Sequence, residues 1–400
     1  MSFHSRSLLT LYLLCKSASY KSFLSPEGRK LYDKRIPRCA LRKYEFSPFK
    51  YLYDSGNDQA LMNMTGLTHA RFNEIIALYT PYYNRYTWDR KKKGVRKLKV
   101  DRNGQPRHGR KRHMDAVGSL GLVFTWYRTT GPCTRTLALA FGLTSSQMYE
   151  WLKYGRRVLL KIMMGLEEAA VSLPTKEEIQ NYTVAIETKY PLMRTVWGAC
   201  DGVKLCIEAS GDYEKQEAFY NGWTHGHYAS CVFVFAADGR IRICTVNSPG
   251  SWHDSAQADY GVYQGMKEVY EMHGGKVVVD SAFNLKNCDY LIKSSQQHPQ
   301  RSDLYYKNKE ATSVRQLSEW GMRMIQAQFP RLKDKLSYEE AGERRIILNL
   351  MVLIYNFQCS TIGHNEILNS YMNDKLNFFG SYDMVPTSEA NLNVINHRYN

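Results

Sequence analysis

The chain lacks the marks of a small fold held by covalent or metal staples. Its nine cysteines, at positions 15, 39, 133, 200, 206, 231, 244, 288 and 359, form no CxxC pair and no zinc-ligand spacing. Several sit inside apolar, strand-like text, so the expectation is buried free thiols in a reducing compartment. No uninterrupted apolar stretch reaches about 18 residues, which argues against a transmembrane helix. The run from Leu8 to Cys15 behind His4 and Arg6 resembles a weak signal-peptide core. Without a disulfide framework it reads better as a short buried helix or a misplaced start. There is no internal repeat and no low-complexity tract. Acids are also in deficit: 38 Asp and Glu face 54 Lys and Arg, a net charge of +16. That surplus predicts an anionic partner, with nucleic acid ahead of an anionic membrane surface.

What is present suits a large globular chain. The 400 residues are 44% hydrophobic, enough for a sizeable core, and read as a catalytic core plus a smaller domain. Residues 1–45 are basic and poorly patterned, an expected poorly ordered start. From 46 to 86, Leu61, Met64, Leu67, Phe72, Ile75, Ile76 and Tyr79 recur at roughly helical spacing, and Thr65 or Thr68 can cap a helix through RFNEIIALY.

Residues 90–113 are the strongest charge run, with twelve Lys or Arg and one acid, Asp101. Asn103-Gly104 and Pro106 predict a loop or turn, solvated and suited to phosphate contact or nuclear import. Arg90, Lys91, Lys92, Lys93, Arg110, Lys111 and Arg112 are its candidate DNA contacts. Between 133 and 164, Leu137, Leu139 and Ala140 form one apolar helix face, Gly142 breaks it, and Thr144 with Gln147 opens a second helix as a capping box. Met148, Trp151, Leu152, Gly155 and Leu159 mark its buried side. Helix, short Gly turn, helix is the helix-turn-helix pattern, though an ordinary helical hairpin has the same outline. On that pattern Gln147, Glu150, Lys153, Tyr154, Arg156 and Arg157 are the more exposed positions. Gln147, Lys153, Arg156 and Arg157 join the candidate DNA contacts.

The text turns β-rich after about 175. TVWGACDGVKLCIEA reads as one strand or a hairpin, and ASCVFVFAAD and RIRICTVNS flank Asp238-Gly239, a strong hairpin signal. KVVVD is a short buried strand ending in an acid, and 255–272, 312–328 and 339–358 read as helices. Strands in the middle with helices on either side predict a mixed α/β (α+β) layer fold. Domain limits follow: 46–175 helical, 190–370 catalytic and 371–400 a tail.

Four acids stand out in this region: Asp201, Asp254, Asp280 and Glu319. Each has a plain explanation alone. Asp201-Gly202 can be a hairpin turn, Asp254 can cap a helix from Ser255, Asp280 can terminate its strand, and Glu319 can pair with Arg315 or Arg323. Together they say more. Asp201 and Asp280 each end an apolar run, where sheets of parallel strands place reactive groups. Glu319 lies on the polar side of a helix whose other side carries Val314, Leu317, Gly321, Met324 and Ile325. Crowded carboxylates repel one another unless a cation neutralises them, so these residues suit divalent metal and phosphodiester chemistry.

At these residues the chain resembles the DDE superfamily endonucleases of the PIF/Harbinger transposase type. The texts that carry the likeness are CDG at 200–202, PGSWHD at 249–254, VVVDSAF at 277–283 and RQLSEWGMR at 315–323, and it extends over roughly 46–370. The resemblance implies a ribonuclease-H-like fold, two divalent ions (Mg²⁺ or Mn²⁺), and cleavage and transfer of double-stranded DNA in the nucleus. It implies a homo-oligomer, a Myb-like helper protein and no membrane. By motif, Asp201 is the first acid and Glu319 the helical acid. Asp280 is the second, from strand order, while the Gly-Ser-x-His-Asp motif falls on Asp254 as an accessory ligand. The chain departs from the family in Ala282-Phe283, where Gly-Tyr is frequent, and in Gly321, two residues past the helical acid. A domesticated DNA-binding protein that retains the fold without the chemistry is the alternative.

Overall fold

A computed structural model describes residues 36, 38–102, 112–131, 133–283, 288–294, 302–337, 340–362 and 365–372. The candidates Arg110 and Lys111 and the apolar start lie outside these residues. Two short 3-10 turns, Arg38–Ala40 and Tyr44–Phe46, come first, and Tyr44 is buried, so ordered packing begins before residue 46. Helix α1, Pro48–Asp54, opens with Pro at a position whose N–H needs no partner, and Ser47 caps it. Asn57 caps α2, Asp58–Thr65, and Thr68 caps α3, His69–Arg85, as one of the two threonine readings expects.

The basic run is not all loop. Strands β1, Tyr86–Asp89, and β2, Gly94–Lys97, pair antiparallel, leaving Arg90–Lys93 as the turn. Helix α4, Ala116–Arg128, capped by Asp115, is apolar on nearly every side and sits in the core. Helix α5, Cys133–Phe141, and α6, Ser145–Met163, are joined through Gly142 (φ 64°) and the Thr144–Gln147 capping box. Helix α7, Lys176–Lys189, leads into the sheet.

Strand β3, Val196–Cys206, is a single strand of 11 residues. After α8, Tyr213–Phe219, and the two-residue β4, Tyr220–Asn221, come β5, Gly226–Ala236, and β6, Ile241–Pro249, joined through Asp238-Gly239. Next are α9, Asp254–Ala258, α10, Val262–His273, β7, Lys276–Val279, and β8, Leu291–Lys293. Helices α11, Asp303–Gln328, α12, Ala341–Ile362, and α13, Glu366–Tyr371, close the described chain.

The main sheet runs β6-β5-β3-β7-β8, with β4 added to the β5 edge. Only β5 among the five long-path strands runs antiparallel to the rest. This curled mixed sheet between helices is the expected ribonuclease-H-like arrangement. Register and packing define its faces. Cys200 pairs with Val234 and Val234 with Ile243, and a Cβ on Gly265 of α10 would touch Ile243, so α10 covers that face. Ala199 pairs with Phe235, and a Cβ on Gly321 would strike the Phe235 ring, so α11 covers the other face.

Helix α12 qualifies by length and composition to cross a membrane, although Asn349 and Asn356 interrupt its apolar run; 67% of its apolar window is buried inside the fold. It ties the helical region to the sheet: the Tyr127 hydroxyl donates to the Ile347 carbonyl at 2.8 Å, and Gln358 donates to the Gly66 carbonyl at 3.1 Å. Cys39, Cys200, Cys206, Cys231, Cys244, Cys288 and Cys359 are free thiols.

Candidate active site

Asp201 does not end its strand; it lies midway along β3. The apolar run stops there because β7, on one side, ends at Val279, which pairs with Cys200. On the other side β5 continues to pair as far as Cys206 with Tyr228. Beyond Cys200 one edge of β3 is therefore uncovered by β7, and polar residues become tolerable without the strand ending. The hairpin-turn reading of Asp201-Gly202 is excluded.

The same register brings Asp201 and Asp280 together. Cys200 and Val279 are neighbours on parallel strands, so the next residue of each chain is an acid. Period-two alternation turns Asp201 towards the face covered by α11. Burial pushes the Asp201 carboxyl up to about 6, and the nearby charges of Asp280 and Asp254 add to the rise. The Gly202 amide, 2.8 Å from its Oδ1, and the Arg315 cation act the other way. Asp280 accepts the Ala282 amide at 2.8 Å.

Asp254 arrives differently. It is the first residue of α9, whose cap is His253, so the reading of Asp254 as a cap before Ser255 is corrected. Its carboxylate lies against Gly202, where a Cβ would stand 2.5 Å from the carboxyl carbon. Asp201 and Gly202 are consecutive in a strand and project to opposite faces. Asp254 therefore approaches from the α10 side, within electrostatic reach of Asp201 but not on its face. Burial raises its carboxyl, Lys204 and His253 lower it, and Asp280 raises it.

Glu319 sits on α11, with Val314, Leu317, Gly321 and Ile325 on the buried side as the periodicity predicts. Its partner is Arg315, one turn earlier, at 2.6 Å. The Arg315 Nε is buried with no hydrogen-bond acceptor among the described residues. Arg315 thus lies between two carboxylates, paired to Glu319 and felt by Asp201.

Hard carboxylate oxygens held at a cost in burial and repulsion are the donor chemistry that divalent cations favour. Asp201 and Asp280 fit that role side by side. Among the described residues no three His, Cys, Asp or Glu side chains are close enough to hold an ion. The geometry gives the reason: Asp254 comes from the opposite face and Glu319 is tied to Arg315.

The candidate recognition helix needs a correction. Lys153, Tyr154 and Arg156 were expected on an exposed side of α6 and are instead buried. Three neighbours cover them: the segment before α12 over Lys153, the end of α3 over Tyr154, and Trp126 of α4 over Arg156. The Lys153 ammonium is 2.6 Å from Glu340, Arg156 stacks 3.9 Å from the Trp126 ring centroid, and Arg157 pairs with Glu343. Gln147 is committed to the capping box and to His113. Arg112 donates to the carbonyls of Tyr83 and Tyr86 and lies over the Tyr83 ring. Of the candidates in the described residues, Arg90, Lys91, Lys92 and Lys93 are exposed at one turn, with Arg90 reaching Glu150 at 2.8 Å. Beside Asp254 lie Gly202, which the sequence offered only as a turn residue and as part of the CDG text, and Lys204, which it did not single out; alternation along β3 from Asp201 is the signal that finds both.

Residues 200–356 match the family model described as DDE superfamily endonuclease. All four acids fall within the match, which supports a domain of the nuclease and transposase class for this segment. No curated protein and no solved structure matched the chain.

Proposed function

We propose that the chain is a divalent-metal-dependent DNA endonuclease of the PIF/Harbinger transposase type. It cuts phosphodiester bonds at the ends of an element and joins the freed 3′-hydroxyl to target DNA. The observation that carries this reading is the parallel register that makes Asp201 and Asp280 neighbours, with Asp201 uncomfortable as an anion. Asp201 and Asp280 would hold Mg²⁺ or Mn²⁺, two ions by resemblance to the family, with Glu319 joining as the third core ligand once it leaves Arg315 and Asp254 as an accessory. Bound there, the ions supply activation of the attacking oxygen and neutralisation of the leaving oxygen. The chain's own part is electrostatic: Arg315 neutralises Glu319 until an ion takes its place, and Lys204 balances Asp254.

On this reading the +16 net charge meets double-stranded DNA in the nucleus, with the turn Arg90–Lys93 as one contact. The helical region 46–175 serves DNA placement and 190–370 serves catalysis. A homo-oligomer and a Myb-like helper belong to the same proposal, by resemblance to the family.

The test is nicking of an end-labelled duplex in Mg²⁺ or Mn²⁺ by the native chain and by Asp201→Ala, Asp280→Ala, Glu319→Ala and Asp254→Ala. The first three variants are expected to lose cleavage while still binding DNA, and Asp254→Ala to be weakened. Binding without metal-dependent cleavage by the native chain would favour the domesticated DNA-binding protein instead.

A further inference from the structure

A cleft of about 450 Å³ opens where residues 38–45 cross the turn between α5 and α6. Arg38, Arg42, Lys43, Arg112, His113 and Gln147 line it, and Glu45 is its one carboxylate. The crossing segment is seated on both sides: the Tyr44 ring is buried, and a Cβ at Gly142 would collide with the Arg42 carbonyl oxygen. The floor is fixed as well. Arg112 is held by the Tyr83 and Tyr86 carbonyls, and the His113 ring is 2.6 Å from Gln147. Arg38, Arg42 and Lys43 are exposed above that floor. Four permanent cations against one acid, two of them guanidinium forks free to turn, suit tetrahedral phosphate.

The positive surface continues past the cleft. Glu150, three residues beyond Gln147 and so one turn along the same face of α6, anchors Arg90 of the β1–β2 turn. An extended track of cations matches a polyanionic backbone better than a single small phosphate. We propose that this cleft seats backbone phosphates of duplex DNA and so sets the helical region on its substrate. The inference rests on the DNA reading above. It replaces base reading by α6, whose Lys153 and Arg156 are turned into the fold.

The test uses the full chain. Arg38→Ala/Arg42→Ala/Lys43→Ala is compared with a charge-matched control, Lys176→Ala/Arg194→Ala/Lys267→Ala, whose sites are also exposed. Fluorescence anisotropy with a labelled 25-base-pair duplex is measured over a salt series, with melting temperatures to confirm folding. The cleft variant is expected to bind about tenfold more weakly than the control for every duplex sequence, and to lose about two to three from the salt slope. Equal affinities for the two variants would overturn the proposal. Displacement of the duplex by inorganic phosphate, beyond that by chloride of equal ionic strength, would also overturn it in favour of a free-phosphate seat. If the native chain shows no salt-dependent duplex binding, the DNA reading itself fails and the cleft proposal with it.

Discussion

Asp254 rests on the Cα of Gly202, in space that any other side chain would fill. The arrangement explains the Asp-Gly pair on β3: the first residue supplies a carboxylate to one face, and the second leaves room for another carboxylate on the opposite face.

Gly202→Ala is therefore expected to act through Asp254. The inserted methyl must push the carboxylate away or strain the strand, at about 1–3 kcal/mol. Nicking should fall as it does in Asp254→Ala, and the double variant should be no worse than either single one, because both remove the same contact. Additive losses would separate Gly202 from Asp254.

Asp201 should make stability depend on pH. Its folded carboxyl titrates at about 6 against an ordinary 3.8, so between these values the folded chain binds more protons than the unfolded one. Stability from this group is fully present below about pH 4 and is lost as pH rises through about 6. Asp201→Asn removes the penalty, so it should be more stable than the native chain at pH 8, by at most about 3 kcal/mol, and equal to it near pH 4. Melting at the two pH values checks this; an Asn variant less stable at pH 8 would contradict the stated cause of the shift.

A divalent cation should relieve the same penalty. Adding Mn²⁺ at pH 8 is expected to raise the melting temperature of the native chain by mass action, and to raise that of Asp201→Asn less. Arg315→Gln should increase the effect of Mn²⁺, because Glu319 is then released from its 2.6 Å partner. An unchanged response in Arg315→Gln would show that Arg315 does not compete for Glu319.

Arg156 should matter for folding and not for DNA. It is 6% exposed under the Trp126 ring, and Arg156→Ala leaves a void there, with an expected cost of about 2–4 kcal/mol. Chemical denaturation reads the loss; duplex affinity of the folded variant should stay within twofold of native. A selective loss of DNA affinity at full stability would restore α6 as a DNA-contacting helix.

These contrasts show where the sequence was sufficient. The Asp238-Gly239 hairpin, the Thr144 capping box, the buried KVVV strand and the apolar side of the Glu319 helix are local signals, and each was legible. Contacts between residues far apart in the chain were not. Glu340 and Glu343 reach Lys153 and Arg157 from 187 and 186 residues away, so of the cations that looked solvated Lys153 is buried and Arg157 half-buried. Asp201 looked like a strand end because its apolar run stops, but what stops is the neighbour β7. The identities of the four acids could be picked from the text; that Asp254 comes from the opposite face depended on register, which no single segment encodes.

The most direct test of metal-assisted cleavage at Asp201 is a ligand swap. Asp201→Cys replaces a hard oxygen with a soft sulfur, which disfavours Mg²⁺ and tolerates Mn²⁺ better. Nicking of a labelled duplex by this variant should be abolished in Mg²⁺ and partly restored in Mn²⁺, while the native chain cuts in both. Cleavage by Asp201→Cys in Mg²⁺ at the native rate would contradict the account.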